Sequence, residues 1–237
     1  MPQGHIDPAA LDRSLAALRP AASDHHLMDA LQQVLTSSSQ MFSASGAGFM
    51  MLDDSSALCA VAATDEPGRV LEQRQEESGH GPCVDAVTFE EVTATGDLAE
   101  DDRWPEIRPE VPEAGVRAVL GVPIRASGVT VGTLNVYRDH PHAWDESETA
   151  ALTSYGSVIE GLLRTAMQAR EGERLAEQLQ HALDNRVVIE RAVGVIMGRA
   201  RVDAVTAFNE LRHRARSGQR KVAEVAAELL DEVARGS

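Results

Sequence analysis

The residues best suited to chemistry gather near the end of the chain. Between residues 186 and 221, nine basic side chains (Arg186, Arg191, Arg199, Arg201, Arg212, Arg214, Arg216, Arg220 and Lys221) stand against three acidic ones, Glu190, Asp203 and Glu210. Guanidinium groups present planar donors that match phosphate oxygens and guanine edges. The run RHRARSGQRK (212–221) sets its cations around the break Ser217-Gly218, so they bracket one interhelical turn. A helix starting near Gln219 would add unpaired backbone N–H groups that favour an anion. Phe208 is the lone aromatic residue in this stretch, which argues against modules that stack bases on exposed rings. A DNA-binding helix-turn-helix would use arginines on small helices equally well.

A second pattern precedes these cations. VIERAVGVIMGR (188–199) has the apolar spacing of a helix but holds Gly194 and Gly198, four apart on one face. A glycine inside a helix costs about 1 kcal/mol relative to alanine. With Ala192 nearby, such a face suits close packing against another backbone. The first reading is packing within a small helical unit, the second the approach of a phosphate chain.

The remaining candidates are weaker. Cys83 closes GHGPC (79–83) at a loop-to-helix transition, a place that favours a thiolate, and could be a redox thiol or a buried structural one. Cys59 is the only other cysteine, so neither a disulfide framework nor a zinc site is expected. No metal or cofactor is expected. The carboxylates of DLAEDDRWP (97–105), Asp97, Glu100, Asp101 and Asp102, suit capping and solvation.

Bulk composition frames these sites. The 237 residues are 43% hydrophobic and 25% charged, as in an ordinary globular protein. No apolar run reaches the roughly 20 residues that cross a bilayer, and the start MPQGHIDPAALDRS has no signal-peptide pattern, so a reduced cytoplasmic setting is expected. The net charge of −15 is uneven. Residues 1–180 hold 12 Lys and Arg against 29 Asp and Glu, whereas residues 181–237 hold 10 against 8. A tail of opposite sign to its body marks an interaction segment.

The elements that must position these residues follow from periodicity. Helices are predicted over about 7–18 and 24–42, then strands over 47–53 and 58–64. A helix over 67–75 and a loop entering a short helix follow, then an irregular acidic segment over 88–113. VRAVLGVPIRA (116–126) and VTVGTLNVYR (129–138) flank a Ser-Gly turn and predict a hairpin. A helix over 146–168 completes an α+β domain with an antiparallel sheet. Beyond about 170 all is helical. Leu175, Leu179, Ala182, Arg186, Ile189, Val193 and Ile196 alternate four and three apart, a short heptad seam compatible with dimerisation or with one face of a bundle. The last 50 residues divide into three helices, one ending near Arg199, one capped by Asp203, one starting near Gln219.

Two family resemblances emerge from these segments. GHGPCVDA, DLAEDDRWPEI, GVRAVLGVPI, VGTLNVY and HAWDESETAAL, in that order, resemble a GAF domain over about residues 25–168. LDNRVVIERAVGVIM, TAFNELRHRAR and QRKVAEVA resemble the ANTAR domain over about 181–233. Together they imply an N-terminal helical segment (1–24), a GAF-like sensory domain (25–168), a helical linker (169–184) and a three-helix RNA-binding domain (185–237). The implied function is a signal-responsive antitermination regulator without enzymatic activity. As a homodimer it would bind tandem stem-loops in nascent transcripts, with an unidentified small molecule as a possible GAF ligand. The resemblance makes Arg186, Arg191, Arg212, Arg214, Arg216, Arg220 and Lys221 the candidate RNA contacts. Where the ANTAR pattern has Ala-Lys-Gly, this chain has Ala192-Val193-Gly194. The alternatives are a DNA-binding regulator and, since some GAF proteins reduce methionine sulfoxide with cysteines in a similar Gly-x-Gly-x-Cys setting, a thiol enzyme using Cys83.

Overall fold

The computed structural model describes residues 5–18, 27–53, 57–169, 173–218 and 220–235; the side chains of 168, 169, 173–182, 184, 205 and 216 lie outside that description. The chain divides into two compact units, Met1–Met51 with Leu58–Ala176, and Leu52–Ala57 with Glu177–Ser237.

The first unit is built on five strands: β1 (Gly46–Leu52), β2 (Leu58–Ala63), β3 (Thr93–Thr95), β4 (Ala118–Ala126) and β5 (Val129–Arg138). Their spatial order is β2-β1-β5-β4-β3, so the terminal hairpin β4–β5 occupies the middle and pairs outward with β1 and β3. That hairpin closes through Ser127 and Gly128, both at positive φ (51° and 83°), the conformation that the right-handed twist of a tight hairpin demands. Strand β5 is buried along nearly its whole length, as a central strand covered on both faces must be.

Helices α1 (Pro8–Leu18), α2 (Leu27–Met41) and α5 (Glu146–Ala169) pack together, with α5 against β4. Asp7 caps α1 by accepting from the Ala9 amide at 3.0 Å. The other face carries α3 (Glu66–Ser78) and α4 (Pro82–Phe89). Asp65 caps α3, and Tyr137 on β5 donates its hydroxyl to the same carboxylate. Side chains alternate along a strand, so Thr133, Asn135 and Tyr137 all face α3 and α4.

One reading of this unit needs revision. The segment 88–113, expected to be irregular throughout, contains β3, whose three residues are too short for a period-2 signal. The same segment buries Leu98, Trp104, Ile107 and Val111 against Leu71, Val119 and Tyr137, so it covers the sheet. The Trp104 indole donates to Asp85 at 2.8 Å, which satisfies its polar edge on burial. Its carboxylates answer arginines, Asp97 with Arg117 and Asp101 with Arg103, both at 2.6 Å. The helix expected from Asp24 is described from Leu27; residues 24–26 lie outside the described residues.

The second unit holds α6 (Glu173–Ala200), α7 (Ala204–Ser217) and α8 (Val222–Arg235). Ile189, Ala192 and Ile196 from α6 meet Ala207 and Leu211 from α7 and Ala223, Ala226 and Leu229 from α8. Asp203 caps α7, accepting from the Thr206 amide at 2.8 Å. Of the heptad seam, the side chains of Leu175, Leu179 and Ala182 lie outside the described residues.

Candidate nucleic-acid interface

The three-helix core fixes which side chains of α6 turn outward. Ile189, Ala192 and Ile196 are buried, and Arg191, Gly194 and Gly198 lie on the exposed side. Ala192 therefore does not share the glycine face, contrary to expectation. Two residues along a helix turn about 200°, so 192 and 194 cannot point together. A Cβ added at Gly194 or Gly198 would meet nothing within 4 Å among the described residues, so packing against those residues does not explain either glycine. Val187, 39% exposed, lies seven residues before Gly194 and extends the same outward stripe.

The expected RNA-contacting side chains separate into three groups. Arg186 is buried, 8% exposed, and its Nε lies 3.1 Å from Glu190 one turn along α6. A guanidinium held there presents little surface to a phosphate, which sets Arg186 apart from the exposed cations. Arg212, Arg214 and Arg220 are accessible but engaged. Arg212 lies over the Phe208 ring at 5.8 Å, Arg214 pairs with Glu210, and Arg220 reaches Glu228 at 2.6 Å and Glu224 at 3.9 Å. The Glu228 carboxylate holds the Arg220 guanidinium above its ordinary pKa. Such exposed pairs are weak and screened by salt, so a phosphate can displace them. Arg191 and Lys221 are exposed and, among the described residues, face no carboxylate in ion-pair contact; Arg199 and Arg201 share that state. The Arg216 side chain lies outside the described residues.

Helix α8 begins at Val222 rather than near Gln219, which is itself outside the described residues. The turn before it is held by the Gly218 amide on the Arg214 carbonyl at 3.1 Å and the Arg220 amide on the Ala215 carbonyl at 2.9 Å. Beside this turn α7 and α8 enclose a cleft of about 250 Å³, lined by Arg214, Gly218 and Arg220, by Val225 and Leu229, and by Glu228 and Glu232. The cations thus collect on the α7–α8 turn, with Arg191 on the outward side of α6.

In the first unit Cys83 is fully buried, and burial pushes its thiol up to about 12. Its amide donates to the buried Gln75 side chain at 2.7 Å. A neutral thiol sealed from solvent lacks the thiolate and the access that nucleophilic chemistry needs. Beside it lies a feature the sequence did not reveal. Glu72 on α3 is 1% exposed, and among the described residues neither carboxylate oxygen has a partner in hydrogen-bonding geometry. Among the same residues, Oδ1 of Asn135 and Oγ1 of Thr133 have none either. Charged residues at i and i+4 in EQRQEES (72–78) read as a solvated helical face, so only the tertiary fold exposes this cluster.

The family of the GAF domain matches residues 24–164, more than half of the chain, and that of the ANTAR domain matches residues 177–230. No curated protein matches the chain in sequence. Among solved structures, the chain is similar to the GAF domain of a phosphoenolpyruvate-protein phosphotransferase from Coxiella burnetii. The two share 19% identity at a TM-score of 0.56, over 68% of this chain and 96% of that one. The corresponding domain from Acinetobacter gives 18% identity and 0.54, over 68% and 93%. Free methionine-R-sulfoxide reductase from Neisseria meningitidis, solved in complex with its substrate, gives 17% and 0.55, over 71% and 99%. At these identities the likeness is one of fold. Among the described residues no helix is long and apolar enough to cross a membrane.

Proposed function

The chain belongs to the GAF domain family and carries an ANTAR domain behind its GAF domain, and from that premise we propose that it is a signal-responsive regulator of transcription antitermination that binds stem-loops in nascent transcripts. A GAF domain is a sensory module and an ANTAR domain an RNA-binding antitermination module, which makes the chain a regulator. We assign sensing to residues 25–168, the linker to 169–184 and RNA contact to 185–237. The observation that carries the finer reading is the basic turn between α7 and α8, where Arg214, Arg220 and Lys221 are exposed together. With no free aromatic ring beside them, they suit phosphate contact on a folded hairpin rather than base stacking. The protein works by binding, as a homodimer that aligns two RNA-contacting units, and no bond is made or broken. Burial of Cys83 argues against a thiol enzyme.

The test is a salt series of binding to a tandem-hairpin RNA, a scrambled unstructured RNA and a matched DNA duplex, with Arg191→Ala, Arg214→Ala and Lys221→Ala. Hairpins should bind in preference to both controls. Each lost phosphate contact should lower the slope of log affinity against log salt by about one. Equal or tighter binding to the DNA would replace this reading with a DNA-binding regulator.

A further inference from the structure

We propose that the interior of the GAF domain binds the protonated amine of a small ligand through Glu72, Asn135 and Thr133, on the α3–α4 face of the sheet. The proposal rests on the sensory half of the function above and does not involve RNA.

The three residues are each at most 1% exposed, and four of their oxygens have no partner in hydrogen-bonding geometry among the described residues: both of Glu72, Oδ1 of Asn135 and Oγ1 of Thr133. Native proteins leave few buried polar atoms unpaired, and a group of them marks a missing partner. The fold brings them to one place. Thr133 and Asn135 are two apart on β5 and share a face. Across the ladder Asn135 pairs with Gly48 on β1 and Gly121 on β4, so small residues flank it on both sides. A Cβ at Gly48 would overlap Oε1 of Glu72 and stand 3.1 Å from Nδ2 of Asn135. The glycine therefore makes room for the carboxylate above the Asn135 amide, one of whose two N–H donors goes to the Gly48 carbonyl at 3.2 Å.

What would complete this set is decided by its chemistry. Every unpaired oxygen can accept, and an alkylammonium supplies three donors. One carboxylate among neutral oxygens carries a single negative charge, which one monocation balances. A divalent ion draws on more carboxylates, and among the described residues no group of three or more His, Cys, Asp or Glu could hold a metal. The empty set adjusts by protonation. Burial raises the Glu72 carboxyl to about 9, the Asn135 amide opposes that rise, and the charge of Glu76 on the same helix adds to it. Cys83 on α4, the other titratable neighbour, stays a neutral thiol. Ammonium binding then expels the Glu72 proton, so affinity must rise with pH up to about 9.

The experiment melts the intact chain in methylammonium chloride, with potassium chloride and tetramethylammonium chloride as matched salts, at pH 6, 7 and 8. Methylammonium at roughly tenfold excess over its Kd should raise the melting temperature by about 3–6 °C beyond the other two salts. Its apparent Kd should tighten about tenfold per pH unit. The response should vanish in Glu72→Gln, which keeps the shape and loses the charge, and weaken in Thr133→Val. Equal shifts with all three salts, or an undiminished shift in Glu72→Gln, would overturn the site. A shift with potassium as large as with methylammonium would overturn the amine in favour of an alkali ion. RNA binding is read separately on the same preparation, so its loss would count against the regulator and leave these outcomes untouched.

Discussion

Glu72 sets a pH dependence opposite in sign to that of an ordinary surface carboxylate. Its pKa is about 9 in the folded chain against an ordinary 4.5, so the native state holds a proton that the unfolded state releases. Stability from this group is complete below about pH 4.5 and declines as the pH rises toward 9. Its steepest contribution is about 1.4 kcal/mol per pH unit. Urea denaturation of the full chain in amine-free buffer should show stability falling between pH 5.5 and 8.5, and Glu72→Gln should flatten that fall. A variant as pH-sensitive as the native chain would assign the dependence elsewhere. Asp101 does not interfere in this window. The Arg103 guanidinium lowers its carboxyl to about 2, and the resulting stability is lost only as the pH falls from about 4 toward 2. Neither behaviour is legible from residue type. Asp101 and Glu72 both sit in runs of charge, and only the strand ladder beneath Glu72 takes it out of water.

At the scale of the element, α6 poses the conflict already visible in its sequence. Gly194 and Gly198 weaken the helix, yet a Cβ at either would meet nothing within 4 Å among the described residues. Gly194→Ala and Gly198→Ala should therefore each stabilise the second unit by about 0.5–1 kcal/mol, through helix propensity and the smaller entropy of the unfolded chain. If the open face receives RNA, the same substitutions should weaken hairpin binding while the melting temperature rises. Unchanged affinity at raised stability would free the face of that role. The glycines were legible as a signal, but the side they face was not, because it depends on which residues α7 and α8 bury. The same limit holds across the fold. The β4–β5 hairpin announces itself through alternation and a Ser-Gly turn, and α1 through Asp7 and Pro8. Strand β3 has three residues and takes its place only from pairing with β4. The acidic segment after it is packed through Trp104, Ile107 and Val111, apolar residues spaced too irregularly for any period. Likewise Arg186 carries the same charge as Lys221, and only the packing of α6 hides one while the other stays exposed.

For the whole molecule, the question is how a chain of net charge −15 captures a polyanion. At physiological ionic strength the Debye length is about 8 Å, so a phosphate at the α7–α8 turn responds to the cations beside it and little to carboxylates farther away. The exposed cations at that turn, Arg214, Arg220 and Lys221, therefore decide the encounter. A few exposed cations give modest affinity, because the exposed arginines must first leave Glu210, Glu224 and Glu228. In the homodimer proposed above, two such surfaces would remove that limit. Once one unit holds a hairpin, the second meets its own hairpin at an effective concentration set by the RNA spacer, and avidity can exceed single-site affinity by about 10²–10⁴. The dimer should thus bind tandem hairpins tighter than one hairpin by about that factor. The advantage should vanish when the spacer is too short to reach both units, and decline slowly as it lengthens past the optimum. Titration of single-hairpin and tandem-hairpin RNAs of graded spacer length, at a protein concentration whose dimer fraction is fixed by sedimentation, measures this directly. Equal affinity for one hairpin and two, at every spacing, would mean that each chain acts alone.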